Sequence, residues 1–327
     1  MSRGSLVTQR QLLSALSSGS FHSGQVLAEM LGVSRTAVAN HIKQLQQLGL
    51  DIYKVKGRGY CLVEQLDLLD AARISQLRKA TGADTLVQHI TDSTNTQLMQ
   101  KIQDGLVTEP GYTIVAEAQT AGRGRRGRNW YSPFAASLYF SMYWRLEQGI
   151  QAAMGLSLVV GIVIARLLKQ QYQVDARVKW PNDVYVDGKK LCGILVELAG
   201  QAHAGCDVII GIGMNIRLPQ QALHSIDQQY IDLTGAAEKV IDRNQLVALL
   251  QQQLITLLAD FTQQGFTGFV DEFDQYNQYR NKAIRLIGKE EITGICIGVD
   301  KQGALLVKTA AGVQAYFGGE LSLRAGE

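Results

Sequence analysis

"YTIVAEAQTAGRGRRGRNWYSPFAASLYFSMYW", residues 112–144, sets a run of arginine and glycine between two segments patterned as strands. The first segment has the β-branched run of a buried strand, and the second alternates small and aromatic residues. A basic glycine-rich stretch on its own reads equally as a nucleic-acid patch or a disordered tail. A tail has no reason to be bracketed by core strands, so the stretch is expected to join two strands of one sheet. Gly122, Gly124 and Gly127 let the main chain approach a ligand, and the interleaved arginines supply fixed charge and forked donors. Such a loop suits a phosphate or a carboxylate. No G-K-[ST] closes it and no helical pattern follows it, so it is neither a Walker loop nor a dinucleotide fingerprint.

The neighbouring segments have mixed α/β texture. Upstream lie a helical pattern in "DLLDAARISQLRKA" (67–80), a strand in "TLVQHI" (85–90), and a helix in "DSTNTQLMQKI" (92–102) that Asp92 or Ser93 could cap. Downstream, "RVKWPNDVYVDGKKLCGILVEL" (177–198) reads as a hairpin turning at Asp187-Gly188. Side chains alternate across a strand, so one of Lys189 and Lys190 should point inward and the other to solvent; a solvated hairpin tip is the bland alternative. "DVIIGIGMNI" (207–216) is a strand whose Gly211 and Gly213 clear one face for a flat ligand. The same strand is the candidate for an exposed edge at which a second chain could pair.

At the N-terminal end, "HSGQVLAEMLGVSRTAVANHIKQLQQLGL" (22–50) holds two helical patterns opened by Ser23 and Ser34 and separated at Gly32. Val38, Ile42 and Leu45 form the buried stripe of the second, leaving Ser34, Arg35, Thr36, Asn40 and Lys43 free to meet a groove. "DIYKVKGRGYCLV" (51–63) then forms a basic hairpin carrying Lys54, Lys56 and Arg58. This is a winged helix-turn-helix, a unit that binds DNA or, alternatively, another protein. Residues 1–65 carry a balance of +4 of the chain's net +3, so the positive charge is concentrated there. At the other end, residues 281–324 alternate in short runs broken at Gly288, Gly303 and Gly318-Gly319, the spacing of a small SH3-like barrel.

The expected fold class is therefore α+β and multidomain: a winged helix-turn-helix over 1–66, a mixed α/β catalytic domain over 67–280 and an SH3-like β barrel over 281–327. With 46% hydrophobic and 19% charged residues the chain is too apolar to be disordered. No membrane span is expected, because the longest apolar run, 152–165, is well short of the ~20 residues a bilayer requires, and no secretory signal, because "MSRGSLVTQRQLLSAL" (1–16) has no uninterrupted apolar core followed by a small-residue cleavage site. Four scattered cysteines indicate neither zinc site nor disulfide framework, which fits a cytoplasmic protein.

"GRGRRGRNW", "KWPNDV" with "KKLCGILVEL", and "GIGMNI", in this order behind a winged helix, resemble the bifunctional biotin-protein ligases that also act as biotin operon repressors. The resemblance covers the whole chain. It implies that ATP, with Mg²⁺, adenylates biotin, and that biotin passes to a lysine of the biotin carboxyl carrier protein of acetyl-CoA carboxylase. It implies Lys190 and Arg125 as catalytic residues, and Ser93, Thr94, Asn95, Gln119, Arg123 and Gly124 around biotin. Arg128, Trp130, Asn182, Asn215 and Arg324 would serve ATP, with Glu320 also on the nucleotide side and Tyr230 packing over the adenylate. Operator DNA would be read by a homodimer formed with biotinyl-AMP as corepressor. The rivals are a pure ligand-sensing repressor and a ligase for a related acyl group such as lipoate.

Overall fold

The computed structural model describes residues 3–63, 66–78, 83–200, 205–220, 222–288, 290–318 and 322–326. Near the N-terminus, helices α1 (Arg3–Leu16), α2 (Gly24–Leu31) and α3 (Arg35–Gln47) precede the hairpin of β1 (Ile52–Val55) and β2 (Gly59–Leu62). Ser23 accepts from the Val26 amide and Ser34 from the Ala37 amide, so both expected caps form. Gly32 ends α2 at φ 63°, the left-handed value that lets the chain turn into α3. The hairpin is extended by a bridge from His22 to Tyr60, which makes the wing a short three-strand unit. Val38, Ile42 and Leu45 are buried as the periodicity requires.

Beyond α4 (Ala71–Leu77), one seven-stranded sheet has the order β3-β4-β5-β9-β8-β7-β6. Its strands are β3 (Thr85–Thr91), β4 (Thr113–Gln119), β5 (Ser137–Leu146), β6 (Arg177–Lys179), β7 (Asp183–Val186), β8 (Lys189–Gly200) and β9 (Cys206–Asn215). Strands β3 and β4 are parallel and all other pairs antiparallel. The arginine–glycine segment joins the adjacent strands β4 and β5, as expected. The expectation that "DVIIGIGMN" is an exposed edge is overturned: β9 lies between β5 and β8 and is hydrogen-bonded on both sides. Its apolar residues Val208, Ile209, Ile210, Ile212 and Met214 are all buried, which explains a near-continuous hydrophobic run.

Helix α5 (Thr94–Gln103) follows β3 and is capped by Ser93 rather than Asp92. The helical segment Ile150–Tyr172, which contains α6 (Leu156–Tyr172), is long and apolar enough to suggest a membrane span by composition, but its residues from Leu156 to Ala165 are nearly all buried in the protein core. After the short helices α7 (Ala222–Ser225) and α8 (Leu233–Ala237), α9 (Arg243–Gln264) packs beside α6, and α10 (Val270–Tyr276) leads to the last domain. That domain is antiparallel, with strands β10 (Ala283–Ile287), β11 (Glu291–Val299), β12 (Leu305–Thr309), β13 (Gly312–Tyr316) and β14 (Ser322–Ala325) in the order β13-β12-β11-β10-β14. The expected helix over 67–80 is shorter than its pattern, ending at Leu77.

The winged helix is not a loose appendage. Ala118 of β4 and Phe134 share its apolar cluster, and the Phe134 amide donates to the Leu48 carbonyl at the end of α3. His89 of β3 packs edge-on to Phe134 at this junction, with ring centroids 4.9 Å apart. Burial, and secondarily Arg10, push its imidazole down to about 4 from the usual 6.5. The unfolded chain therefore binds a proton in a pH range where the folded one does not. Stability is whole above about 6.5 and falls as pH drops toward 4, by at most about 3 kcal/mol from this group. His89→Leu should flatten the dependence of the urea midpoint on pH between 4 and 7. An unchanged slope would show that other groups set it.

Candidate functional site

A cleft of about 1080 Å³, counted together with the solvent at its mouth, opens over one face of the sheet. At the β4 side of the sheet its polar groups are hydrogen-bonded to one another. The Thr94 amide donates to Gln119 Oε1 at 2.9 Å, and Gln119 Nε2 donates to Ser132 Oγ at 3.1 Å. Ser141 Oγ lies 2.7 Å from Thr94 Oγ1 and 2.5 Å from Asn95 Oδ1. Asn95 Nδ2 donates to Glu197 Oε2 at 2.7 Å, and Arg123 pairs with Glu197 at 3.1 Å. Ser93, Thr94 and Asn95 are each 4% exposed. The pocket is thus a rigid set of donors and acceptors, the kind that rejects a ligand lacking matching polar atoms.

The glycine floor follows from register. Gly193, Gly213 and Tyr139 stand opposite one another on β8, β9 and β5. A Cβ at Gly213 would come 2.5 Å from the Trp130 indole, and one at Gly193 3.0 Å from it. A Cβ at Gly211 would strike the Asn95 amide at 2.4 Å. The expectation that these glycines bare the sheet to a ligand is therefore corrected. They make room for two of the protein's own side chains, and any ligand meets Trp130 and Asn95 instead.

On the β7 side the cleft is cationic. Lys190 Nζ is 2.7 Å from Asp183 Oδ1 across the β7–β8 hairpin and 5.5 Å from the centroid of the Trp130 ring. The turn forms at Asp187 and Gly188, both at positive φ, and a register shift beside Tyr185 keeps Lys190 pointing inward while Lys189 is exposed. Arg125 donates to Asn182 Oδ1 at 3.0 Å and to the Gly318 carbonyl, so it bolts the loop to both the sheet and the last domain. Desolvation lowers its pKa. Asn182 is itself held by its bond to the Ile194 carbonyl at 2.8 Å.

The structure brings Ser93, Thr94, Asn95, Gln119, Arg123, Gly124, Arg125, Arg128, Trp130, Asn182, Lys190 and Arg324 to the one cleft. Asn215 does not line it. That residue is 4% exposed and donates to the carbonyls of Lys190 and Ile231, clamping the start of β8 from beneath. Tyr230 bridges the same Lys190 backbone. Glu320 lies outside the described residues. Sequence reasoning passed over Ser141, Glu197, Asp183 and Lys179. Asp183 and Lys179 sit inside the K-W-P-N-D motif, which was a usable signal, whereas Ser141 and Glu197 acquire partners only through the sheet. On the winged helix, Arg35, Thr36, Asn40, Lys43, Lys56 and Arg58 are all exposed, and Ser34 is exposed with its oxygen engaged as a cap.

Residues 87–215 match the biotin/lipoate A/B protein ligase family, residues 8–61 an HTH domain, and residues 280–324 the biotin protein ligase C terminal domain. The chain is 43% identical to the bifunctional ligase/repressor BirA of Escherichia coli strain K12 over 97% of both chains. It is 28% identical to the protein of that name from Bacillus subtilis strain 168, over 93% of this chain and 94% of that one. Among solved structures, biotin protein ligase from Aquifex aeolicus in complex with biotin and ATP superposes with a TM-score of 0.64 at 28% identity, covering 74% of this chain and 99% of that one.

Proposed function

The chain belongs to the biotin protein ligase family, in its bifunctional ligase and repressor form, and on that premise we propose a role for each group in the cleft. The protein is a ligase that uses ATP to make biotinyl-AMP and passes biotin to a lysine of a biotin carrier protein. It is also a DNA-binding repressor of biotin synthesis. The observation that carries the assignment of roles is the juxtaposition of a neutral, internally bonded pocket with a cationic one in a single cleft.

Biotin's head group fits the neutral pocket of Ser93, Thr94, Asn95 and Gln119, with Arg123 and Gly124 covering it. Its carboxylate, ionised at neutral pH, attacks the α-phosphorus and needs no general base. Two anions must approach, so catalysis is positioning plus fixed positive charge, supplied by Lys190 and Arg125. Arg128, Trp130, Asn182 and Arg324 bind ATP, while Asn215 acts through Lys190, whose backbone it holds. Among the described residues no carboxylate cluster fit to hold a resident ion is present. Mg²⁺ would enter with the nucleotide, whose phosphates commonly supply its ligands, and no side chain is assigned to it. The boundaries 1–66, 67–280 and 281–327 divide repressor, ligase and C-terminal functions.

The test is to incubate the protein with ATP, biotin or lipoate, and a carrier domain, then weigh the carrier. A gain of one biotin and no lipoate is expected; lipoate attachment would sink the substrate assignment. Arg125→Ala should stay folded and still form biotinyl-AMP, though more slowly, and release it at least about tenfold faster, as expected for loss of a charged hydrogen bond. Gel filtration of the labelled adenylate complex reads this. Retention equal to wild type would remove Arg125 from the gate.

For repression, Ser34, Arg35, Thr36, Asn40 and Lys43 would face the major groove, with Lys56 and Arg58 of the wing on phosphates. A single winged helix makes few contacts, so tight operator binding calls for a homodimer on a two-fold site, favoured by biotinyl-AMP. Sedimentation with and without a non-hydrolysable analogue checks this, and unchanged dimerisation would reject the corepressor step.

A further inference from the structure

Lys179, the last residue of β6, lies in the wall of the cleft, and neither its motif nor the assignments above give it a task. It is 5% exposed. Its ammonium donates to Tyr185 Oη at 3.0 Å and lies 4.6 Å from the centroid of that ring. An ammonium has three donors, and a neutral phenol satisfies one of them. At this end of the cleft the carboxylate is Asp183, which is in contact with Lys190; Glu197 is paired with Arg123 at the other end. The charged groups acting on Lys179 are Arg324 from β14, Lys190 from β8, Arg128 from the loop and Asp183 from β7, three cations to one anion. Burial first, and then Arg324, lower its pKa to about 8. A buried cation surrounded by cations is costly unless an anion completes the set.

We propose that Lys179 is a substrate-binding residue for the pyrophosphate end of ATP. The proposal rests on the ligase reading and deepens it. Two features select this ligand. Four cations against one carboxylate match a multiply charged polyphosphate, not the single charge of biotin. In sheet order, Lys179 and Asp183 stand on β6 and β7, at the far side from the β4 pocket that takes the head group. When the carboxylate oxygen bonds to the α-phosphorus, the bond from that phosphorus to the bridging oxygen breaks, and its electron pair leaves with pyrophosphate. The Lys179 ammonium and Arg324 stabilise that charge. In the empty cleft near pH 8 part of the Lys179 population is neutral, and a polyanion favours its ammonium form, so binding draws a proton from solvent.

Calorimetric titration of the full chain with inorganic pyrophosphate at pH 8, in buffers of different ionisation enthalpy, tests this. Wild type should take up more protons on binding than Lys179→Arg, which binds pyrophosphate but cannot deprotonate. Lys179→Gln should bind pyrophosphate roughly tenfold to a hundredfold more weakly, the loss of one charged contact. Its KM for ATP should rise similarly while its KM for biotin holds, a split that general damage to the fold would not produce. Pyrophosphate binding as tight in Lys179→Gln as in wild type, or equal proton uptake in wild type and Lys179→Arg, would overturn the proposal. Failure of the ligase reading is separately visible, as absence of biotin transfer by the wild-type protein.

Discussion

Replacing Lys190 by alanine slows formation of biotinyl-AMP by about a hundredfold or more, while Lys189→Ala leaves it nearly unchanged; the first figure is the usual effect of removing one charge-stabilising group from a preorganised site. The two lysines are adjacent in sequence and differ in direction. Lys190 is held inside by Asp183 and clamped through its backbone by Asn215, whereas Lys189 is exposed at the hairpin end. Truncating Lys190 also leaves the Asp183 carboxylate unpaired beside the incoming phosphates, which adds repulsion to the lost attraction. Asp183→Asn in the Lys190→Ala background should therefore recover part of the rate. Single-turnover adenylation of all four proteins separates the two contributions. Equal losses in the two lysine variants would refute the assignment.

Removing Arg243 is expected to have the largest effect on stability. Arg243 opens α9 and meets Glu117 of β4 at 2.7 Å, with both side chains 3% exposed. The same guanidinium donates to the Asp67 carbonyl, and Glu117 Oε1 accepts from the Leu69 amide. Together they fasten the segment leaving the winged helix to the catalytic sheet, two residues before Gln119 of the candidate biotin pocket. Arg243→Ala leaves a buried carboxylate without its partner, a change that costs about 3–5 kcal/mol. Exposed pairs such as Arg145–Glu147, with 39% and 72% of their side chains exposed, contribute about 1 kcal/mol or less. Urea denaturation reads the difference. Arg243→Ala with Glu117→Leu should be less damaging than Arg243→Ala alone, because no buried charge is then orphaned. A double variant at least as unstable as the single would show that the hydrogen bonds to the linker, not the ion pair, hold this junction.

Much of the architecture is written in short stretches of chain. The caps at Ser23 and Ser34, the turn at Gly32, the 3.6-residue stripe of Val38, Ile42 and Leu45 and the hairpin turn at Asp187-Gly188 all formed as their residues require. Each depends on backbone sterics or on a hydrogen bond spanning three or four residues, so sequence by itself determines it. That Lys189 and Lys190 point to opposite sides belongs here too, since alternation across a strand is local; which of the two faces inward was fixed by the register shift against β7 beside Tyr185.

The tertiary structure alone decided strand order and the partners that order creates. "DVIIGIGMN" looked like a free edge, yet it lies between β5 and β8, because a strand apolar on both faces is stabilised where both faces are covered. Trp130 lies over Gly193 and Gly213, Asn95 reaches Glu197, and Arg125 bonds the Gly318 carbonyl 193 residues away. Asn215 turned beneath Lys190 instead of into the cleft. These pairings are chosen by competition among surfaces distant in sequence, where burial of both partners sets the outcome and no local pattern of residues records it.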